Sequence, residues 1–314
     1  MFTDQNEEYI LCIFEQGSIS KAAAAFGITQ PAVSLCINKL ESQLGFKIFE
    51  RKKSPVKPTP EGEIYIEYLK EKRLLAKDYK KRIQDITNDK NHSLTIGGSS
   101  VYIHSLLLNR ILSFEEEMNN RGEHYNISFK EAPLSKLIEG TLNGNIDFFI
   151  STSDEVPAEI RTEKLISEKL FLCIPKSFEI NKSIKKYAIK SKNEIHNFDY
   201  HLLDGQKFIF LEKDQPLQKE LCAFLQKYEI NPINSFTVNQ ASLASRLCML
   251  EKGITLISGE ILFNLERTDN LYIYSVPEEF GSRQLYISYH KDRYMSSGCS
   301  KLIKYIKNEL EERK

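Results

Sequence analysis

Residues 17–41 read GSISKAAAAFGITQPAVSLCINKLE, and this segment predicts two short helices joined by a tight turn. Ser20 is a suitable N-cap for the alanine-rich first helix, and Gly27 can adopt the positive φ angle that ends it. Thr29 can cap the second helix. A helix that starts there has Pro31 in its first turn, where the missing N–H of proline is tolerated. The small alanine side chains allow the two helices to cross closely.

One face of this helix pair is apolar and the other is polar and uncharged. The apolar face is formed by Ala23, Phe26, Ile28, Val33, Ile37 and Leu40. A helix that enters the major groove with its N-terminal turn first places Gln30 for two hydrogen bonds to adenine, and Pro31 or Ala32 for contact with a thymine methyl. We therefore predict DNA contacts from Ser20, Thr29, Gln30, Pro31, Ala32, Ser34, Leu35 and Lys39.

A basic stretch follows this helix pair. Residues 47–57 contain five basic side chains and one acidic side chain, although residues 1–62 as a whole are neutral. We expect a wing at the turn in this stretch, with Arg51, Lys52 and Lys53 against phosphates or the minor groove. Position on DNA and sequence specificity would then come from different parts of the domain.

Residues 61–89 predict a long, charged helix after a proline-rich patch at 54–60. Its apolar residues follow a heptad-like spacing at Tyr65, Leu69, Ala76, Tyr79, Ile83 and Ile86. At about 1.5 Å per residue the helix would be roughly 40 Å long, which is too exposed to stand alone. We predict a dimerising connector helix; the alternative is a helix that lies on its own domain.

From about residue 91 the sequence alternates between short strand-like runs and helical runs. The predicted strands include 127–129, 146–150, 170–174, 208–211, 255–258, 271–276 and 285–289, and the predicted helices lie near 134–143, 215–228, 240–252 and 294–312. This alternation favours an α/β fold with a mostly parallel sheet, or two such sheets.

Composition excludes several classes of protein. The chain has 314 residues, 41% hydrophobic and 27% charged, with zero formal net charge, which is typical of a folded protein of about two domains. The six cysteines and six histidines show no metal-ligand spacing, and no apolar run approaches the roughly 20 residues that span a bilayer. The acidic N-terminal residues do not resemble a signal peptide. We expect no metal, no cofactor, no membrane contact and a cytoplasmic location.

At this point the sequence resembles the LysR-type transcriptional regulators. The resemblance is strong over residues 5–65 and weaker to the C-terminus. The matching residues are Gly17-Ser18, Ala22-Ala23, Gln30-Pro31-Ala32-Val33-Ser34, Ile37, Leu40-Glu41, Leu44-Gly45, Phe49-Glu50-Arg51 and Thr59-Pro60-Glu61-Gly62. Three features depart from the family pattern: Leu35 replaces a basic residue, Pro60 enters the start of the connector, and the segment 175–208 is unusually long.

The resemblance implies three parts. These are a winged helix-turn-helix at 1–60, a dimerising connector helix at 61–90, and a two-lobed α/β effector-binding domain at 91–314 similar to periplasmic binding proteins. The first lobe is expected at about 91–166 and 269–314, and the second at about 167–268.

The resemblance also places a small-molecule effector between the two lobes. One wall of the binding site would be the turn after the first strand, with Ser99, Ser100 and Val101. Thr152 and Gln215 would contribute the other walls. Free N–H groups at a helix start favour an anion, so we expect a carboxylate on the effector. The alternative for both serines is plain helix capping.

The leading hypothesis is thus a DNA-binding regulator, a homodimer or homotetramer, controlled by an effector, with RNA polymerase as a further candidate partner. The alternative is a DNA-binding oligomer whose C-terminal half binds no ligand. An enzyme is disfavoured, because the sequence has no P-loop, G-x-G-x-x-G or G-x-S-x-G motif. Lys185 and Lys186 are interpreted as solvated surface rather than DNA contacts, and Cys222 and Cys248 as packing residues rather than a redox pair.

Overall fold

The structure is a computed structural model and describes residues 5–50, 55–87, 90–191, 193–213, 215–262 and 268–311. The chain divides into two compact units. The first consists of Met1–Asp89 with Arg293–Ser296, and the second of Lys90–Asp292 with Ser297–Lys314.

The first unit is a helical domain with a small hairpin. Its elements are the helices α1 (Gln5–Gln16), α2 (Ile19–Ala25), α3 (Gln30–Leu44) and α4 (Pro60–Ile86), and the strands β1 (Phe49–Glu50) and β2 (Lys57–Pro58). The two strands pair antiparallel. The core is formed by buried residues of all four helices, among them Ile10, Ala23, Val33, Ile37 and Leu69. Residues 51–54 lie outside the described residues, so the predicted contacts of Arg51, Lys52 and Lys53 are not located.

The turn between α2 and α3 has the predicted geometry, but the start of α2 differs from the prediction. Gly27 has a φ of +67°, and Thr29 occupies the N-cap position of α3, although its side chain makes no capping hydrogen bond within the described residues. The N-cap of α2 is Ser18, whose hydroxyl accepts a hydrogen bond from the Lys21 amide at 3.3 Å. The prediction of Ser20 as the cap is therefore wrong. Starting the helix two residues earlier places Ile19 against the core, which favours the earlier cap.

The second unit contains the remaining elements. Its strands are β3 (Asn91–Gly98), β4 (His124–Glu131), β5 (Phe148–Ser151), β6 (Ile160–Pro175), β7 (Lys207–Leu211), β8 (Ile233–Val238), β9 (Thr255–Ser258), β10 (Leu271–Ser275) and β11 (Ser282–His290). Its helices are α5 (Leu108–Asn120), α6 (Leu134–Leu142), α7 (Asn181–Ile184), α8 (Pro216–Lys227), α9 (Ala241–Met249), α10 (Gly259–Leu262) and α11 (Ser297–Glu311). A π-helical segment, Tyr102–Leu107, leads into α5.

The long strand β6 connects two lobes. Residues 160–169 of β6 pair antiparallel with β11 in the first lobe, beside β5, β3 and β4. Residues 170–175 pair antiparallel with β9 and β10 in the second lobe, which also holds the parallel pair β7 and β8. The prediction of a mostly parallel sheet is therefore wrong, because every described pairing of β6 and β11 is antiparallel. The two lobes of an α/β domain are confirmed.

Candidate nucleic-acid interface and ligand-binding cleft

The N-terminal turn of α3 is exposed. Val33 and Ile37 point into the core and are at most 1% exposed, so residues on the other face of the helix are turned outward. Leu35 is 71% exposed, and Ser34 is half-buried. The exposed members of the predicted DNA-contacting set are Ser20, Thr29, Gln30, Pro31, Ala32, Leu35 and Lys39. All of these except Lys39 lie on α2 or in the first two turns of α3 and the turn before it.

Gln30 is oriented by Ser20. The Ser20 hydroxyl donates a hydrogen bond of 2.7 Å to the side-chain oxygen of Gln30. That oxygen has a second lone pair, and the amide nitrogen keeps two N–H donors. Gln30 therefore retains the acceptor and donor that a bidentate contact with adenine requires. Ser20 fixes which end of the amide faces which direction, a role that sequence reasoning did not assign to it.

A buried carboxylate connects α3 to the hairpin. Glu41 is 2% exposed, accepts a hydrogen bond from the Ile48 amide at 2.9 Å and forms an ion pair with Lys47 at 2.9 Å. Charge-assisted hydrogen bonds of this kind are stronger than neutral ones. The position of β1 is thereby fixed relative to the helix that carries Gln30.

Helix α4 has two different apolar faces. Ile66 and Leu69 are at most 2% exposed and belong to the core of the first unit. A second set, on the opposite side of the helix, is at least 41% exposed and consists of Ile64, Tyr68, Leu75, Tyr79, Ile83 and Ile86. The predicted heptad-like set contains residues of both faces, because it includes the buried Leu69 together with exposed residues such as Ile83. The exposed stripe is the surface available to a second chain.

The predicted effector residues lie at the start of the first helix of the second unit and at nearby strand ends. The helix begins at Ser100, directly after β3, and Val101 packs against the core of the second lobe. Strands β3 and β5 are parallel, with Gly97 beside Phe149, so Thr152 lies at the same sheet edge as the turn 99–101. Gln215 is the N-cap residue of α8 in the second lobe, without a side-chain cap bond.

The hydroxyls of Ser99 and Ser100 are available to a ligand. Neither makes a hydrogen bond within the part of the chain that the structure describes, and Ser99 is exposed. The Ser99 carbonyl accepts from the Ile103 amide at 3.1 Å, as an ordinary first helical turn requires. The alternative that these serines serve as side-chain caps is therefore not supported. The π-helical segment that follows is a feature often found at functional sites.

A buried polar cluster that sequence reasoning missed lies where β6 passes between the lobes. Arg283 donates to Glu168 at 2.7 Å and to the Tyr102 hydroxyl at 2.6 Å, and Tyr102 also lies 3.2 Å from Glu168. Burial raises the pKa of the Tyr102 hydroxyl, an effect partly offset by the Arg283 charge. The second carboxylate oxygen of Glu168 has no hydrogen-bond partner among the described residues. No sequence signal marked this cluster, because its members are far apart in the chain.

The cysteines of the second lobe have different environments. Cys173 and Cys248 are buried, and the Cys248 thiol donates to the Cys173 carbonyl at 3.3 Å. Burial raises the pKa of Cys248 to about 12, so its reactive thiolate form is scarce near neutral pH. Cys222 is exposed and accepts from the Gln218 amide at 3.0 Å.

The described residues contain neither a metal-binding group nor a membrane-spanning helix. Over the ranges described by the structure, no group of three or more His, Cys, Asp or Glu side chains is placed to hold a metal ion. No helix in those ranges combines the length and the apolar character needed to cross a bilayer.

Two family profiles match the chain. The profile described as "Bacterial regulatory helix-turn-helix protein, lysR family" matches residues 6–63. The profile described as "LysR substrate binding domain" matches residues 87–311. Together they include the surface of α3 and the turn at 99–101.

The chain is similar to other regulators over almost its full length. The chain is 24% identical over 311 residues to "Probable RuBisCO transcriptional regulator" of Trieres chinensis, covering 92% of this chain and 96% of the relative. It is 25% identical over 312 residues to "Uncharacterized HTH-type transcriptional regulator YybE" of Bacillus subtilis strain 168, covering 97% and 98%. A crystal structure of full-length CbnR in complex with its target DNA shares 15% identity with a TM-score of 0.61, covering 97% and 98%, which indicates a common fold.

Proposed function

The chain belongs to the LysR family of bacterial transcriptional regulators, and from this premise we propose that the N-terminal turn of α3 reads an operator while a carboxylate-bearing effector binds between the lobes. The protein is a DNA-binding regulator with an effector-binding domain. The single observation that carries the operator proposal is the exposed polar surface around Gln30, held in place by Ser20 at 2.7 Å.

The DNA contacts divide into two kinds. Gln30, Pro31 and Ala32 lie at the leading end of α3; the Gln30 amide is suited to a base edge, and the small apolar Pro31 and Ala32 to thymine methyl groups. Lys39 lies about two and a half turns beyond Gln30 along the helix and is suited to a phosphate, as is the predicted wing. Anisotropy of labelled DNA from upstream of the gene, compared with a scrambled duplex over a salt series, tests this proposal. Equal affinity for both duplexes under all conditions would contradict sequence-specific reading.

Gln30→Ala is expected to weaken operator binding by roughly 1 to 3 kcal/mol and to relax the preference at one base pair. The physical reason is the loss of a bidentate contact, whereas the phosphate contacts and the salt dependence remain. The measurement is anisotropy on a panel of operators with single base-pair changes. Gln43→Ala, an exposed glutamine at the C-terminal end of the same helix, is the matched control. Uniform weakening on every duplex would remove Gln30 from base reading.

The effector proposal is supported by the turn at 99–101. A helix start offers backbone N–H groups without intrahelical partners, and beside them lie the two hydroxyls of Ser99 and Ser100, which have no hydrogen-bond partner among the described residues. Val101 contacts the second lobe, so a ligand at this turn can affect how the lobes meet. Calorimetric titration of the full-length protein with a panel of small carboxylates and their matching amides tests the proposal. Binding of neither set would favour the ligand-blind alternative.

We further propose that the protein is a homo-oligomer joined through the exposed stripe of α4. Six large apolar side chains on one helical face form a surface that water does not favour. A dimer, or a tetramer built from dimers, would cover it and would present two copies of α3 to a two-fold operator. We also propose that the protein is located in the cytoplasm, where the DNA that it controls is transcribed. RNA polymerase is then a further partner.

Leu75→Asp combined with Ile83→Asp is expected to convert the oligomer to monomer at micromolar concentration. Each substitution places a charge into an interface that excludes water, which costs several kcal/mol. The measurement is size-exclusion chromatography with light scattering. Lys80→Asp, on an exposed part of α4 outside the stripe, should leave the mass unchanged. A double variant with wild-type mass would show that the stripe is not the interface.

A further inference from the structure

A basic pocket lies on the second lobe, away from the turn at 99–101. Its volume is about 550 Å³, within the range typical of small-molecule sites. Part of the wall comes from the segment that follows β6, and part from β10, through Tyr272. The pocket is lined by Lys176, Lys182, Lys185, Lys186, Glu179 and Tyr272, among others.

The positive charge of this pocket is largely uncompensated. Lys182 pairs with Glu179 at 2.8 Å, which neutralises one lysine. Lys176, Lys185 and Lys186 have no carboxylate partner in the part of the chain that the structure describes. Lys176 instead lies 5.3 Å from the centre of the Tyr272 ring. Like charges held around one pocket repel each other, so an anion bound between them is stabilised.

The walls of the pocket are firmly anchored in the lobe. Ile180, Ile184 and Ile189 are at most 8% exposed and belong to its core. Asn181 is 4% exposed, donates to the Pro175 carbonyl at 2.7 Å and accepts from the Tyr274 hydroxyl at 2.7 Å. The lysine backbones are thus fixed before any ligand arrives, which lowers the entropic cost of binding.

We infer that this pocket binds a small anion carrying two or more phosphate groups. Lysine ammonium groups act as point charges for phosphate, and the ligand must span separate lysines to neutralise them. The concave shape and the size favour a small molecule over the regular backbone of duplex DNA. The pocket is built largely by residues of the segment 175–208, for which we expect a greater length than is usual in the family. The site would therefore be a second, independent input to the regulator.

The test is calorimetric titration of the full-length protein with inorganic triphosphate at low ionic strength. The wild type should show saturable binding, and Lys185→Gln combined with Lys186→Gln should weaken it by about tenfold or more. Both lysines are exposed, so the fold is expected to survive the substitutions. Lys219→Gln combined with Lys252→Gln removes the same charge from exposed positions outside the pocket and should leave the affinity unchanged.

Three outcomes would overturn the inference. The first is equal triphosphate affinity in the two double variants, which would mean non-specific attraction to basic surface. The second is equal affinity for sulfate at matched ionic strength, which would remove the requirement for more than one phosphate. The third is weaker duplex binding by the Lys185→Gln/Lys186→Gln variant together with no triphosphate binding by the wild type, which would assign these lysines to DNA.

Discussion

Gly62→Ala is expected to destabilise the DNA-binding unit by about 3 kcal/mol or more and to abolish operator binding at temperatures where the wild type binds. A Cβ atom added at Gly62 would lie 2.0 Å from the carbonyl oxygen of Ile48 and 2.8 Å from its carbonyl carbon. Real Cβ atoms essentially never come within 3.0 Å of another heavy atom. The obstacle is backbone, so no side-chain rotation can relieve the overlap.

The Ile48 backbone has little freedom to move away. Its carbonyl accepts a hydrogen bond from the Thr59 amide at 2.9 Å, and its amide donates to the buried Glu41 carboxylate at 2.9 Å. Thr59 also caps α4 by accepting from the Gly62 amide at 2.9 Å. An alanine must therefore either break this set of bonds or push α4 off the core that Ile66 and Leu69 complete.

Thermal unfolding and hydrogen exchange of the full-length protein test this prediction. For a domain of this size, 3 kcal/mol corresponds to a decrease of roughly 10 to 25 °C in the melting temperature of the first unit. Loss of protection against hydrogen exchange should be confined to peptides of the first unit. Glu63→Ala, at the neighbouring exposed position of α4, is the control and should change stability by less than about 0.5 kcal/mol. If Gly62→Ala kept wild-type protection against hydrogen exchange, α4 and the hairpin of β1 and β2 would have to lie further apart than in the structure.

Local sequence signals predicted most of the elements that position the DNA-binding surface. The turn at Gly27 and the start of α3 at Thr29 each follow from one residue type. In the second unit, the strand at 255–258 likewise follows from one apolar run. The cap of α2 was misplaced because Ser18 and Ser20 are both good caps, and only the packing of Ile19 distinguishes them. The first half of β6 was missed, since charged residues such as Glu163 and Lys164 interrupt its apolar pattern.

Contacts between distant residues could not be predicted. The two faces of α4 carry similar apolar residues, and only the position of the N-terminal core shows that Leu69 is buried while Leu75 is 73% exposed. The cluster of Tyr102, Glu168 and Arg283 depends on the register between β6 and β11, where Glu168 lies directly opposite Arg283. That register is a property of the folded sheet and has no local signature.

Arg283→Met is expected to destabilise the effector-binding unit by about 3 to 5 kcal/mol. The Glu168 side chain is fully buried and Arg283 is 11% exposed, so the ion pair exists in a region with little water. Removing the guanidinium leaves a buried carboxylate whose remaining contact is the Tyr102 hydroxyl at 3.2 Å, while its other oxygen has no partner in the described residues. Thermal unfolding should show a decrease of roughly 6 to 20 °C in the melting temperature of this unit.

The double variant Glu168→Met/Arg283→Met separates the cost of an unpaired charge from the value of the pair. Replacing both partners with apolar side chains removes the stranded carboxylate, so most of the lost stability should return. Arg161→Met is the matched control on the same strand pair, because its ion pair with Glu163 is 63% exposed on the arginine side and should contribute less than about 1 kcal/mol. If the double variant were as unstable as Arg283→Met, the loss would come from packing of the arginine stem rather than from the buried charge. Recovery would instead mean that the cluster adds little net stability where β6 passes between the lobes, and that its charges serve to fix one arrangement of Tyr102 beside the proposed effector turn.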